Sequence, residues 1–276
     1  MSFQLVDRIH EFSTAKSASG ILALPDGSED FPLSLVVEAI GQLAAYIAMD
    51  HVDFAMRPVA AIAGEVVATR TIRGGDRLDL SVDVSALRTS AMRYAGSARV
   101  NGEVAVELKR CTGAMLPMEA FDDPQTVREH LALLRGPGLA PRAFPTRREF
   151  APRVSEATWE TGRAAATLQA PEDASFYQDH FPLRPVYPAT LLLDAKIAVA
   201  QNLVARDLPP SSHLPPIRAV NAVKVRAFTP PGGRVEVVVA ETAPPPTDSV
   251  RAVKMEAFAD GARVSTATVL LSTTPD

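Results

Sequence analysis

Residues 175–196 read SFYQDHFPLRPVYPATLLLDAK, and the second half of this stretch predicts the central helix of the fold. The helix is expected to begin at Pro188, because a proline in the first helical position loses no hydrogen bond there. Apolar residues then occupy every side of the helix, with the carboxylate of Asp194 among them. A helix that is apolar all round is normally buried. We therefore expect a sheet to wrap around it.

The same pattern occurs earlier in the chain, where residues 31–49 read FPLSLVVEAIGQLAAYIAM. Pro32 and Glu38 stand six residues apart, as Pro188 and Asp194 do, and the two pairs are offset by 156 residues. This repetition predicts that the chain contains two copies of one structural unit.

Strand signals follow each helix. In residues 78–84, leucine and valine alternate with aspartate and serine, which is the period-two pattern of a half-buried strand. Asn101-Gly102 and Asp260-Gly261 each separate two strand-like runs, and such dipeptides are strong signals for tight hairpins. The order helix, strand, hairpin thus occurs twice. We predict an α+β fold with two antiparallel sheets, each wrapped around a long central helix.

The repeat divides the chain into three segments. Residues 1–120 hold the first helix and its strands, and residues 149–276 hold the second set. Residues 121–148 contain a short predicted helix and then a stretch rich in proline, glycine and arginine, which is typical of a linker. The boundary is expected between Pro137 and Arg148.

Composition excludes several classes of protein. The 28 basic and 32 acidic residues give a formal net charge of −4 and are mixed along the chain, which argues against a nucleic-acid or anionic-membrane surface. The single cysteine, Cys111, can form no internal disulfide, which indicates a reducing compartment. The start lacks the apolar core of a secretory signal, and the run at 33–49 is too short and too interrupted to span a bilayer. We expect a soluble cytoplasmic protein.

The stretch 175–196 resembles the 3-hydroxyacyl-thioester dehydratases of fatty-acid and polyketide synthesis, the FabA/FabZ type, which have a hotdog fold. Because the chain contains two copies of the helix and strand unit, the resemblance implies a fused double hotdog. Fourteen residues separate the histidine of the His-Phe-Pro run from the helix carboxylate, as in the family pattern. The two family glycines are replaced by Leu183 and Ala189, which alters the expected lining of the pocket. The matching positions are His180, Phe181, Pro182, Pro185, Pro188 and Asp194.

The first half keeps the helix acid Glu38 but not the histidine, since the position fourteen residues before it is Leu24. In the family, two hotdogs pack side by side, and each site combines the histidine of one fold with the carboxylate of the other. The resemblance therefore implies that His180 faces Glu38. Asp194 would face the position of Leu24 and be secondary or vestigial. A rival arrangement has Asp194 serving the site and Glu38 left over.

Dehydration of a 3-hydroxyacyl thioester to a trans-2-enoyl thioester needs a base, an acid and a donor to the developing enolate oxygen. His180 is the predicted base, because imidazole titrates near neutral pH. Glu38 is the predicted acid, since a carboxyl group on a buried helix should lose solvation. The backbone N–H of Ala189, at a helix start, is the predicted oxyanion donor. Phe181 and Tyr187 are expected to line the substrate pocket.

The resemblance implies a thioester of acyl carrier protein or of coenzyme A as the substrate. No cofactor is expected, because the thioester carbonyl already acidifies C2 and the protein need only position acid and base. No metal is expected either, since the histidines lack metal-ligand spacing. Two hotdogs in one chain allow a monomeric pseudo-dimer, and exposed sheet edges allow a homodimer of double hotdogs.

Two other functions stay open. A hotdog acyl thioesterase would use the helix carboxylate to direct water at the thioester carbonyl. A catalytically degenerate acyl-binding or scaffold hotdog protein would keep His180 as a structural residue only. Double-bond isomerisation after dehydration is a further option, because the same base and acid could serve both steps.

Overall fold

The computed structural model describes residues 3–27, 30–140, 147–209, 213–242, 247 and 249–274. The predicted boundary at 137–148 falls partly on residues 141–146, which lie outside these ranges. The four α-helices, labelled in chain order, are α1 Leu33–His51, α2 Pro124–Arg135, α3 Arg147–Phe150 and α4 Ala189–Ala205. Two single 3₁₀ turns cover Met118–Ala120 and Ser175–Gln178.

Within the residues that the structure describes, six strands belong to each half of the chain. The first six are β1 Arg8–Ser13, β2 Ser17–Ala23, β3 Met56–Ala68, β4 Arg77–Leu87, β5 Ala91–Val100 and β6 Glu103–Pro117. The other six are β7 Arg153–Glu160, β8 Arg163–Gln169, β9 Ile217–Val225, β10 Arg234–Glu241, β11 Val250–Ala259 and β12 Ala262–Ser272.

The strands form one continuous antiparallel sheet instead of the two separate sheets that the sequence predicted. Its order is β1-β2-β4-β5-β6-β3-β9-β12-β11-β10-β8-β7. The two halves meet where β3 pairs with β9, from Ile62 opposite Lys224 to Val67 opposite Ala219. Pairing gives the backbone groups of two otherwise exposed edges their hydrogen bonds, which explains why the sheets merge. The order reads the same from either end when β1–β6 are matched to β7–β12, as the sequence repeat requires.

The two long helices are the buried centre of the fold. α1 packs against β2–β6, α4 packs against β8 and β10–β12, and the two helices contact each other. His51 is the exposed residue of α1, and Asn202 is that of α4. α4 is thus buried on almost every side, as the sequence predicted, whereas α1 keeps one half-buried face, which carries Glu38 and Gln42. Each helix begins one residue after its proline, because Pro32 and Pro188 have extended ψ angles of 129° and 130° and act as caps.

The length and apolar composition of α1 would by themselves allow it to cross a bilayer. At 19 residues it is also longer than the run of 33–49 considered in the sequence. In the structure, however, α1 packs inside the sheet, as the core helix of a globular protein does.

Both predicted hairpin turns are present. Asn101 and Gly102 have φ angles of 53° and 83° and join β5 to β6. Asp260 and Gly261 have φ angles of 50° and 75° and join β11 to β12. Two successive positive φ angles are the geometry that the Asn-Gly and Asp-Gly dipeptides favour in tight hairpins.

Gly96 on β5 allows α1 to approach the sheet closely. A Cβ atom at this position would lie 2.5 Å from Ile40 Cγ2 and 2.7 Å from the carbonyl oxygen of Ser81. We therefore expect Gly96→Ala to lower the free energy of unfolding by about 2 kcal/mol, which is typical of overpacking in a core. Urea unfolding measures this. Gly27→Ala is the control, because a Cβ there meets nothing within 4 Å. Equal midpoints for the two variants would contradict the close approach.

Candidate active site

A cavity of about 290 Å³ lies between α1, the start of α4 and the sheet. Glu38 from the first half lines it together with His180 and Ala189 from the second half. Phe181 and Tyr187, the two predicted wall residues, also line it. The structure thus brings together, in one cavity, residues that stand more than 140 positions apart in the chain.

The orientation of His180 is set by two backbone contacts. Its backbone N–H donates to the carbonyl oxygen of Phe176, four residues earlier, at 2.9 Å. In the side chain, Nδ1 lies 3.1 Å from the carbonyl oxygen of Val186. Because a carbonyl oxygen only accepts hydrogen bonds, we assign the proton to Nδ1. That tautomer leaves the lone pair on Nε2, where a general base needs it.

Glu38 lies in the second turn of α1 and both of its oxygens accept hydrogen bonds. Thr190 Oγ1, in the first turn of α4, donates to Oε2 at 2.9 Å. Gln42 Nε2 donates to Oε1 at 3.1 Å. Glu38 is half-buried, instead of fully buried as the apolar surroundings in the sequence suggested, because it lines the cavity.

The charges in the cavity act on His180. Burial of the imidazole lowers the pKa of His180 below its ordinary value, and the nearby carboxylate of Glu38 opposes this shift in part. The guanidinium of Arg57 on β3 lowers the pKa further. The lowered pKa favours the neutral imidazole, and the effect of Glu38 on that pKa couples the two side chains electrostatically.

Ala189 is the first residue of α4, so its N–H belongs to the turn that has no acceptor within the helix. It is not among the residues with positive φ, and an alanine takes this backbone conformation without strain. Replacement of the family glycine therefore leaves the donor in place.

Leu183, at the other replaced glycine, is 62% exposed and does not line the cavity. The expectation that it changes the pocket lining is wrong. The residue lies in the proline-rich turn, where its N–H donates to the carbonyl oxygen of Phe121 at 3.0 Å.

Asp194 lies on α4 outside the cavity and is only 9% exposed. Burial raises the pKa of Tyr187, and the negative charge of Asp194 raises it further. Leu24, at the position where the first half lacks its histidine, is buried in the core. Lys196, two residues further along α4, donates from Nζ to Ser265 Oγ at 2.7 Å.

Phe181 is held by a small aromatic cluster at the rim of the cavity. It packs edge-on against Phe121, with ring centroids 5.1 Å apart, and against Val186. The guanidinium of Arg57 lies 4.3 Å from the centroid of the Phe181 ring and forms an ion pair with Asp122. A cation over an aromatic face is attracted to it, which fixes this wall of the cavity.

Sequence reasoning missed the role of Gln42 and of the N-terminal segment. Gln42 Nε2 donates to the carbonyl oxygen of Phe3 at 2.9 Å, and its Oε1 accepts from the N–H of Leu5 at 2.8 Å. The Phe3 N–H donates to Asp179 Oδ2 at 2.8 Å, and its ring meets the imidazole of His180 edge-on at 5.4 Å. The signal for Gln42 was its position one helical turn after Glu38.

Comparison with known proteins finds a family match over the second half of the chain. Residues 151–268 match the FabA-like domain family. Over 118 residues the chain is 33% identical to 3-hydroxyacyl-acyl-carrier-protein dehydratase FabZ of Bacillus velezensis, a match that covers 38% of this chain and 82% of the relative.

Solved structures show a similar fold over almost the whole chain. One, described as an oleoyl thioesterase from Lactobacillus plantarum, has a TM-score of 0.62 at 12% identity, covering 94% of this chain and 97% of that one. A MaoC-like dehydratase has a TM-score of 0.56 at 12% identity, covering 90% and 85%. Identities this low establish likeness of fold alone. From the FabA-like match and the FabZ relative together, the chain belongs to the FabA/FabZ-type family of hotdog dehydratases.

Proposed function

We propose that this protein dehydrates a 3-hydroxyacyl thioester to a trans-2-enoyl thioester at one site formed between its two halves. The observation that carries the proposal is the shared cavity of Glu38, His180 and Ala189. The mirrored strand order further supports a fused double hotdog, in which residues 1–120 and 149–276 are the paired units. In such a monomer, the two units of one chain pair with each other as two subunits of a dimer would.

In the proposed reaction, His180 Nε2 removes the proton from C2 of the substrate. The C3–O bond then breaks, and Glu38, which enters the reaction as the neutral acid, gives its proton to the departing hydroxyl so that it leaves as water. Thr190 can stay bonded to Glu38 in both protonation states, because a hydroxyl group both donates and accepts. His180 afterwards gives up the proton taken from C2 and Glu38 takes one up, directly or through solvent, which restores the neutral base and the neutral acid.

The developing enolate oxygen accepts a hydrogen bond from the backbone N–H of Ala189. The helix dipole and the unpaired amides of the first turn of α4 favour negative charge there. No step needs a cofactor, since the thioester carbonyl acidifies C2. Asp194 has no part in this mechanism, and the half-site that lacks a histidine is vestigial.

The proposed substrate is carried by acyl carrier protein in the cytoplasm, in fatty-acid or polyketide synthesis. Support comes from the FabZ relative, whose name specifies carrier-protein substrates. A coenzyme A thioester would present the same reactive atoms.

A thioesterase is the second candidate. Both oxygens of Glu38 accept hydrogen bonds, and a carboxylate held in this way could direct a water molecule at the thioester carbonyl. The neutral His180 beside it supports the dehydratase instead, because thioester hydrolysis at a helix carboxylate does not need a base for C2.

The test is to incubate the purified chain with 3-hydroxyacyl carrier-protein thioesters of several lengths and to follow the intact mass. We expect the loss of one water from the carrier-bound acyl group. Release of the whole acyl group as free acid would overturn the dehydratase in favour of the thioesterase. An unchanged mass with every substrate would favour a protein that binds acyl chains without reaction.

A further inference from the structure

Lys196 is a buried cation that the proposed mechanism does not use. It lies on α4, its exposed fraction is 0%, and Nζ donates to Ser265 Oγ at 2.7 Å. Within the described ranges, the amine of Lys196 makes this one hydrogen bond and forms no salt bridge. Because an amine has three donors or two plus a lone pair, its capacity for polar contacts is largely unused.

Packing of the helix does not require a lysine here. The repeat places Ile40 of α1 at the position equivalent to Lys196 of α4, 156 residues earlier, and Ile40 is also fully buried. Burial of an amine without a charged partner costs free energy that an apolar side chain would avoid. A residue that is costly at a position where isoleucine suffices indicates a role other than stability.

Ser265 connects this lysine to the cavity. Ser265 lies on β12 and lines the same cavity as Glu38 and His180. On α4, Lys196 follows Ala189 and Leu192, two lining residues, at the spacing of one helix face. The lysine therefore stands about 10 Å along the helix axis from the proposed oxyanion donor.

The hydrogen bond from Lys196 also sets the direction of the Ser265 hydroxyl. Because the amine donates to Oγ, the O–H of Ser265 remains free to donate to something else. In the part of the chain that the structure describes, no acceptor takes that proton. A hydroxyl that accepts from an amine is itself a stronger donor. The Ser265 hydroxyl in the cavity wall can thus donate a hydrogen bond to an oxygen atom of a bound ligand.

We infer that Ser265 and Lys196 form a polar subsite that binds an oxygen atom on the acyl chain, beyond the thioester. This rests on the proposed function for the placement of the chain, and it names the substrate class as an oxygenated 3-hydroxyacyl chain. A keto or hydroxyl oxygen would accept from Ser265, and a chain carboxylate would in addition hold Lys196 as the ammonium. Burial lowers the pKa of Lys196 to about 7, so either form of the amine is accessible.

The experiment measures binding, so that it does not depend on dehydration. Three unreactive pantetheine thioethers of equal chain length are titrated by calorimetry: a plain alkyl chain, a chain with an internal ketone, and a chain that ends in a carboxylate. We expect wild type to bind at least one oxygenated chain about tenfold more tightly than the alkyl chain. The arm that binds more tightly identifies the kind of oxygen.

Lys196→Met and Ser265→Ala should each reduce this preference to about onefold, because each removes one of the two side chains of the polar subsite. Ser272→Ala is the matched control, since Ser272 is buried on the same strand, bonds to Thr274 and does not line the cavity. Equal preference in wild type and both subsite variants, or tighter binding of the alkyl chain by wild type, would overturn the subsite. Dehydration of a plain chain would still support the proposed function in that case.

Unfolding of the same variants separates a binding role from a structural one. If the lysine serves ligand binding, Lys196→Met should leave the urea midpoint unchanged or raise it, since a buried amine without a charged partner is removed. A clear fall in the midpoint, with the chain preference intact, would show that Lys196 only supports the fold. If Lys196→Met does not fold, Ser265→Ala carries the binding test alone.

Discussion

Glu38→Gln is expected to lower the rate of water loss by about 10²- to 10⁴-fold, because an amide cannot protonate the departing hydroxyl. The glutamine side chain has almost the same shape and can still bond to Thr190 and Gln42, so the cavity should persist. Single-turnover intact-mass measurements on the carrier-bound substrate give the rate. An unchanged urea midpoint would attribute the loss to chemistry instead of folding.

Asp194→Asn is the matched control for this prediction. It makes the same chemical change at the equivalent position of the other helix, which lies outside the cavity. We expect its rate, per folded molecule, to stay within about threefold of wild type, since the residue touches no reacting atom. The opposite result, with Asp194 required and Glu38 dispensable, would exchange the roles of the two acids and discard the crossed site.

The sequence predicted those features whose causes are local. Pro188 and the apolar run after it define a buried helix, because capping and side-chain pattern act within a few residues. The Asn101-Gly102 turn follows from the positive φ angles that these residues tolerate. The spacing of Pro32 and Glu38 repeated these signals and so indicated two equivalent units.

What the sequence could not predict depends on partners that are distant in the chain. The pairing of β3 with β9, which merges two sheets into one, joins strands that carry no signal for each other. The bond between Thr190 and Glu38 spans 152 residues, and the bond from Lys196 to Ser265 spans 69. Leu183 occupies a family glycine position, yet it points away from the cavity because the turn that holds it lies at the surface.

His180→Asn should abolish dehydration to a similar degree, by about 10²- to 10⁴-fold. The side-chain amide of asparagine can replace Nδ1–H as the donor to the carbonyl oxygen of Val186, but it offers no basic nitrogen for C2. His51→Asn is the control, because His51 is exposed at the end of α1. The same intact-mass assay measures both variants. Full activity of His180→Asn would leave the histidine with a structural role and remove the base from the mechanism.

The pH dependence of wild type tests the same residue without substitution. His180 must be neutral to act as a base, so activity is present above its pKa and is lost as the pH falls through it. Burial places that pKa below the ordinary value of about 6.5. The acid limb of kcat/KM is therefore expected below pH ~6.5. In the free protein the carboxylate of Glu38 raises the pKa of His180, so Glu38→Gln should lower this pKa further, which NMR titration of the imidazole without substrate would detect. An acid limb well above pH ~6.5 would contradict His180 as the base. A pKa of His180 that the substitution leaves unchanged would contradict the electrostatic contact between His180 and Glu38, on which the proposed site depends.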